Sequence, residues 1–277
     1  MATSDLDFEA LQSRGFLVLP NLVPQAHLDR FEHEIAVLSE GECRRLGTSP
    51  AGDVEPFIHL HRQGGEYWSL LYELLERMFV LNQIATDIGR FLEETEFLRR
   101  EGIEVPLVWP DIRADPPHDS SRLLRIHQDF ASTRCHRAWR LWVPLRPADE
   151  HYGTMRVFAG THRLGLLPHR VDDPRYPTVD AEHWQDAPQE TMVLPAGHGV
   201  LFHPLLLHES VPNRSNRMKF TLLVQVQDLA SVCHPHDPDD PLSEFVSLTA
   251  VRRDARARES RPSIEAAGGP SPPAAPR

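Results

Sequence analysis

A chain of 277 residues with 40% hydrophobic and 25% charged residues has ordinary globular composition and enough apolar material for a real core. A formal net charge of −11 disfavours a nucleic-acid partner, and the longest apolar stretch, Val200 to Leu207, is broken by His203 and Pro204 and is far shorter than the ~20 residues of a bilayer crossing, so no membrane span is expected. The acidic start (Asp5, Asp7, Glu9) is unlike a secretory signal, and three scattered cysteines, Cys43, Cys135 and Cys233, suit a reducing compartment, so a cytoplasmic location is expected.

In chain order, Phe8 to Arg14 has apolar residues at helical spacing and a glycine stop at Gly15, and Phe16-Leu-Val-Leu-Pro20 reads as a short strand. Pro24 opens a helix with Leu28, Phe31, Ile35 and Leu38 in one stripe. Gly47 to Gly65 is expected to be a loop. From Tyr67 to about Glu101, Leu70, Leu71, Leu74, Leu75, Met78 and Phe79 predict an amphipathic helix, and a further helical stretch includes Ile88, Phe91, Leu92 and Leu98.

After Pro106 the pattern changes to short strands: Leu107 to Trp109, Leu123 to His127, Trp139 to Val143, Thr154 to Phe158, Glu190 to Leu194, Val200 to Phe202 and Phe220 to Val226. Such strands, separated by turn residues, indicate a β-sandwich or barrel, with the helices buttressing one sheet. There is no internal repeat at a fixed period. Residues 1–250 are expected to form a single domain, and 251–277, rich in Arg, Glu, Ala, Gly and Pro, a disordered tail.

His127-Gln-Asp129 closes an apolar run, and residues two apart on a strand share a face, so the imidazole and the carboxylate converge. The spacing is weak evidence in a chain with 16 histidines. A third ligand from a distant strand would complete a two-His, one-carboxylate face on Fe(II), with open positions for a bidentate cosubstrate and O2. His208, at the end of Val200 to Leu207, is the candidate, and His203 is its rival. What favours His208 is its sequel. Pro212 and Asn213 make a turn, and on the returning strand Arg217, Lys219 and Thr221 alternate with Met218 and Phe220. A cation there can pair with the distal carboxylate of a dicarboxylate chelated to the metal, and Ser210 adds a hydroxyl donor. The alternative for Arg217 and Lys219 is a solvated strand edge.

The chain resembles the phytanoyl-CoA dioxygenase family of Fe(II)- and 2-oxoglutarate-dependent oxygenases. The resemblance rests on Gly15 to Pro24, His127-Gln-Asp129, Leu141-Trp-Val-Pro-Leu145, Tyr152 to His162 and His208 to Lys219, and spans roughly residues 8 to 228. It implies a mainly β fold with flanking α-helices, the double-stranded β-helix or cupin-like jelly roll. It further implies Fe(II) on His127, Asp129 and His208, with 2-oxoglutarate and O2 as cosubstrates. Decarboxylation to succinate and CO2 would accompany oxidation of a small molecule, by default hydroxylation; desaturation, cyclisation and epimerisation use the same centre.

The family commonly has arginine eleven residues after the second histidine, where this chain has Lys219. Lysine can form the ion pair without the bidentate fork of arginine. Lys219 is therefore the expected anchor, Arg217 its competitor and Ser210 the auxiliary donor. Asp129 is retained, whereas related halogenases carry a small residue there, so halogenation is disfavoured. The cationic segment Arg134 to Arg140 suggests contact with an anionic substrate through Arg134 and Arg140, with Arg125 and His162 as further candidates; a solvated loop is the plainer reading. Two rival functions remain: a cupin-like metal enzyme without 2-oxoglutarate, and a catalytically silent binding module.

Overall fold

The computed structural model describes residues 6–121, 123–130, 135, 137–170 and 178–231, with backbone alone for 65–70. Arg134, Cys233 and the expected tail lie outside them. The described residues belong to one compact unit, Met1–Pro235.

Helix α1 (Phe8–Arg14) is capped by Asp7, whose carboxylate accepts the Ala10 N–H at 2.9 Å, and it ends at Gly15 with φ 81°. Strand β1 (Phe16–Leu19) follows, then α2 (Gln25–Arg45), which buries Leu28, Phe31, Ile35 and Cys43. The stretch expected as a loop contains a helix, α3 (Pro56–Gln63), with proline in its first turn and Phe57, Ile58 and Leu60 buried. Only eight residues long, it has too few turns for a clear periodicity. The helical region expected next, a helix and a further stretch, holds three helices: α4 (Gly65–Glu76), α5 (Phe79–Glu94) and α6 (Phe97–Arg100). Met78, with ψ 130°, breaks the first from the second, and Phe79, expected in the buried stripe, is 64% exposed.

The strands are β2 (Pro106–Asp115), β3 (Ala138–Pro144), β4 (Thr154–Phe158), β5 (His169–Arg170), β6 (Thr178–Val179), β7 (Gln189–Thr191), β8 (Gly199–Phe202), β9 (His208–Val211) and β10 (Lys219–Asp228). A five-stranded antiparallel sheet has the order β1-β8-β3-β10-β2, a three-stranded one β7-β4-β9, and β5 pairs with β6. Pro110 sits within β2 without breaking it because β2 is an edge strand and its missing N–H costs no ladder bond. The expected strand Leu123 to His127 does not form. Of it, only His127 pairs, in an isolated bridge to His208 that extends the smaller sheet. Leu194, expected at a strand end, likewise forms an isolated bridge, to Ala148.

The alternation of β10 assigns the two faces of the larger sheet. Phe220, Leu222, Val224 and Val226 pack with Phe31, Phe57, Ile84 and Ile88 in the helix-side core. The opposite face meets the smaller sheet, where Trp142, Val200 and Phe202 pack on Met155 and Val157. Two antiparallel sheets face to face, with helices behind the larger, make a jelly roll of mainly β structure. Among the described residues no helix is long and apolar enough to cross a membrane.

Candidate metal centre

His127 and His208 exchange backbone hydrogen bonds, His127 N to His208 O at 3.0 Å and His208 N to His127 O at 3.2 Å, so one ladder rung sets both side chains. Their ring centroids lie 4.2 Å apart. Asp129 is fixed by its own N–H, which donates to the Pro204 carbonyl at 2.8 Å. Each imidazole has its Nδ1 on a backbone carbonyl, His127 on Arg125 O at 2.7 Å and His208 on Leu206 O at 3.0 Å. Donation from Nδ1 places the lone pair on Nε2, the tautomer suited to metal binding.

The two Nε2 atoms face the Asp129 carboxylate, at 3.4 Å from Oδ1 for His127 and 3.8 Å from Oδ2 for His208. One donor atom from each of the three lies within 4.8 Å of the others. His127 Nε2 is buried and has no hydrogen-bond partner among the described residues. A buried lone pair without a proton to accept, beside a second imidazole and a carboxylate, fits a divalent transition metal held on one face. Burial alone would raise the Asp129 carboxyl, but the Arg140 guanidinium, Nε 3.3 Å from Oδ2, and the two imidazoles outweigh it and hold Asp129 far below the usual carboxylate range. Burial, then the neighbouring His127, lowers His208 to about 4. The set is thus an ionised carboxylate with a neutral His208, the protonation state that coordination requires.

The cavity beside the triad is lined by Arg113, Trp142, Phe202, Ser210, Lys219 and Leu223, among others. Lys219 Nζ is 3.0 Å from Asp115 Oδ2, and Arg113 Nε 2.8 Å from Asp115 Oδ1. Burial would raise Asp115, yet these two cations bring it down to about 2. Sequence reasoning missed Arg113 and Asp115, although their alternation on a strand is the same signal that identified His127 and Asp129. It also named Thr221 without a role. Thr221 is fully buried between Lys219 and Leu223 on the same face, and its hydroxyl has no partner among the described residues.

The remaining candidates are placed as follows. Ser210 lines the cavity, and its hydroxyl accepts the Leu124 N–H at 3.3 Å. Arg217 does not share the Lys219 face as expected, because β10 begins only at Lys219. It lies in the preceding turn, 48% exposed, with Nε 3.1 Å from Glu55 Oε1. Arg140 adjoins Asp129, and Arg125 is exposed. His162 lies away from the cavity under Gly15, against Gln12 O at 3.1 Å. The rival His203 is not in the triad; its Nδ1 accepts the Leu205 N–H at 3.0 Å, and its ring packs edge-on against Trp139.

The family model for phytanoyl-CoA dioxygenase (PhyH) matches residues 11–221. The peroxisomal phytanoyl-CoA dioxygenase of Rattus norvegicus is 25% identical over 273 residues, covering 90% of this chain and 72% of that protein. The Homo sapiens protein of the same name is 25% identical over 275 residues, covering 87% and 72%. Among solved structures, the epimerase SnoN in complex with Fe3+, alpha ketoglutarate and nogalamycin RO is similar with a TM-score of 0.55 at 15% identity, covering 82% of this chain and 84% of that one. EvdO2 from Micromonospora carbonacea var. aurantiaca, complexed with 2-oxoglutarate, is similar with a TM-score of 0.51 at 20% identity, covering 85% and 94%. These structural likenesses bear on the fold, and the family match on more than half of the chain settles the lineage: the chain belongs to the phytanoyl-CoA dioxygenase (PhyH) family.

Proposed function

We propose that this protein is an Fe(II)- and 2-oxoglutarate-dependent dioxygenase that oxidises a small molecule, by default through hydroxylation, with His127, Asp129 and His208 as the metal ligands. The observation that carries the reading is the convergence of these three donors within 4.8 Å, beside a cavity that also holds Lys219. When bound, Fe(II) with 2-oxoglutarate and O2 would supply the oxidising chemistry, releasing succinate and CO2. The protein's own groups place and shield. Two Nδ1 contacts with backbone carbonyls fix the orientation of both imidazoles. Lys219, with Arg113 behind their shared Asp115, offers a positive charge to the distal carboxylate of the diacid, and Ser210 a hydroxyl. Trp142, Phe202 and Leu223 keep the lining partly apolar, which limits water around the reacting groups.

The test is O2-dependent formation of succinate from 2-oxoglutarate by the iron-loaded protein on a metabolite panel. Turnover lost in His127→Ala and in Asp129→Ala, with the fold retained, is the expected result. Full activity in either variant would remove that residue from the metal site. Oxidation without succinate would favour a cupin-like metal enzyme, and no turnover with tight ligand binding a silent module.

A further inference from the structure

The face of the larger sheet that lines the cavity continues beyond it. In β2, Ile112 and Ala114 belong to the helix-side core and Val108 packs against it, so Trp109, Asp111, Arg113 and Asp115 point the other way. Strand register ranks this face in rungs. Lys219 pairs with Asp115, Thr221 with Arg113 and Pro144, Leu223 with Asp111 and Trp142, and Gln225 with Trp109 and Arg140. Arg113, Trp142, Lys219 and Leu223 line the cavity. The last rung, Trp109–Gln225–Arg140, is the next step along the same face, and its Arg140 touches the metal ligand Asp129. Two strand spacings put Trp109 about 10 Å across the sheet from Arg140.

The chemistry of this outer rung is one-sided. Trp109 is 62% exposed although it lies on an inward-facing position. The Gln225 amide nitrogen spends one N–H on Gln227 Oε1, and its carbonyl oxygen accepts no hydrogen bond among the described residues. Asp111, one rung in, makes no ion pair among the described residues; burial raises its carboxyl above the usual range, against the opposing pull of Arg140, the Ile112 N–H and Arg113. The nearby guanidiniums are committed, Arg140 to Asp129 and Arg113 to Asp115. What is offered to a ligand is thus an aromatic face and hydrogen-bond acceptors.

Charge narrows the ligand further. With Fe(II) and doubly ionised 2-oxoglutarate cancelling, Asp129 offsets Arg140, and Asp115 with Asp111 offset Arg113 and Lys219. The loaded site has no uncompensated charge for a charged substrate to meet, and an anion would face the Asp111 carboxylate.

We propose that Trp109, Asp111 and Gln225 form the substrate platform and that it takes an uncharged, hydroxyl-bearing ring, whose apolar face stacks on the indole and whose hydroxyls donate to Asp111 and the Gln225 carbonyl. Hydroxyls are the donors that pair with acceptors without adding charge, and an indole offers a large flat surface for the C–H face of a saturated ring. The assignment rests on the iron and 2-oxoglutarate reading above, and the experiment separates the two. Anaerobic Fe(II) plus 2-oxoglutarate should give a visible metal-to-ligand absorption band in the wild type, Trp109→Ala and Asp111→Asn alike. Absence of that band in the wild type would overturn the underlying reading.

Saturation-transfer NMR on the full chain loaded with Zn(II) and 2-oxoglutarate then uses three probes: methyl α-D-glucopyranoside, its 2-amino analogue and decanoyl-CoA. Transfer to the ring C–H protons of the neutral pyranoside is expected, falling at least fivefold in Trp109→Ala and more than twofold in Asp111→Asn and in Gln225→Ala. Transfer confined to the amine or to the acyl-CoA, transfer unchanged in Trp109→Ala, or transfer to none of the three would each overturn the platform.

Discussion

Two cations share one carboxylate beside His127, Asp129 and His208, and that sharing governs how the cavity responds to change. Lys219, Arg113 and Asp115 together carry one net positive charge, the counterpart of a single distal carboxylate. Lys219→Ala leaves a neutral pair and is expected to weaken 2-oxoglutarate binding more than tenfold, roughly 2–5 kcal/mol by analogy with truncated charge pairs in interfaces. Arg217→Ala removes a half-exposed cation from Glu55 and is expected to leave the affinity within about twofold, as for other surface ion pairs. Anaerobic titration checks both, and the reverse order would move the anchor to Arg217. Acid tests the same cluster. The Asp115 pKa is about 2 in the folded chain against an ordinary value of 3.8, so its contribution to stability is present above the higher value and is lost as pH falls through the lower one. At ~1.4 kcal/mol per pKa unit this is on the order of 2 kcal/mol. Asp115→Asn is expected to flatten the urea-unfolding stability profile between about pH 4 and pH 2, and an unchanged slope would show that other carboxylates set it.

The connection from β9 to β10 carries the register on which the Lys219 assignment depends. Asn213 is buried and ties it from inside: Nδ2 donates to Asp115 O at 3.0 Å and Arg217 O at 2.8 Å, while Oδ1 accepts the Ser215 N–H at 3.0 Å and its hydroxyl at 2.7 Å. Asn213→Ala is expected to cost about 1–3 kcal/mol, because it leaves buried polar groups unpaired, and to weaken 2-oxoglutarate binding while Fe(II) affinity changes little. Thermal unfolding and the two titrations read this out; equal loss of both ligands would mean global loosening. This connection also shows the limit of the sequence. The Pro and Asn turn signals were legible, but the bonds from Asn213 and Ser215 that hold Arg217 in the turn, and its distant partner Glu55, do not show in the alternation of residues 217 to 221. Strong alternation and clean stops revealed α1, β4 and β8 nearly to the residue. The Leu123 to Ile126 run looked like a strand because it is apolar, yet only His127 found a partner in a sheet. The His127–Asp129 pair was legible from its two-residue spacing at the end of an apolar run, although the strand expected there does not form; the Asp115 cluster was not, because it joins two strands about a hundred residues apart.

At the scale of the whole molecule, the helical layer reaches the cavity through one strand. Lys219 and Thr221 face the cavity, while Phe220 between them faces the helices, fully buried, with its ring centroid 5.3 Å from Phe31 of α2 and 5.1 Å from Phe57 of α3, both edge-on. Glu55, at the start of α3, accepts the Met218 N–H at 2.9 Å and pairs with Arg146 at 3.0 Å. Burial would raise the Glu55 carboxyl, but Arg146 and these hydrogen bonds bring it below its usual range, so it stays charged where it clamps the entry to β10. Helix packing and the position of Lys219 are thereby coupled. Phe220→Ala removes a large core side chain and is expected to cost about 3–5 kcal/mol. Phe220→Leu keeps much of the volume and should cost less than half as much. If the helices hold the Lys219 register, the affinity for 2-oxoglutarate should fall in the same order as stability, measured at a temperature where each variant remains folded, while Fe(II) binding by the triad, which lies on the smaller-sheet side, changes by less than about twofold. Stability lost with unchanged 2-oxoglutarate affinity would show that β10 keeps its register without the helices.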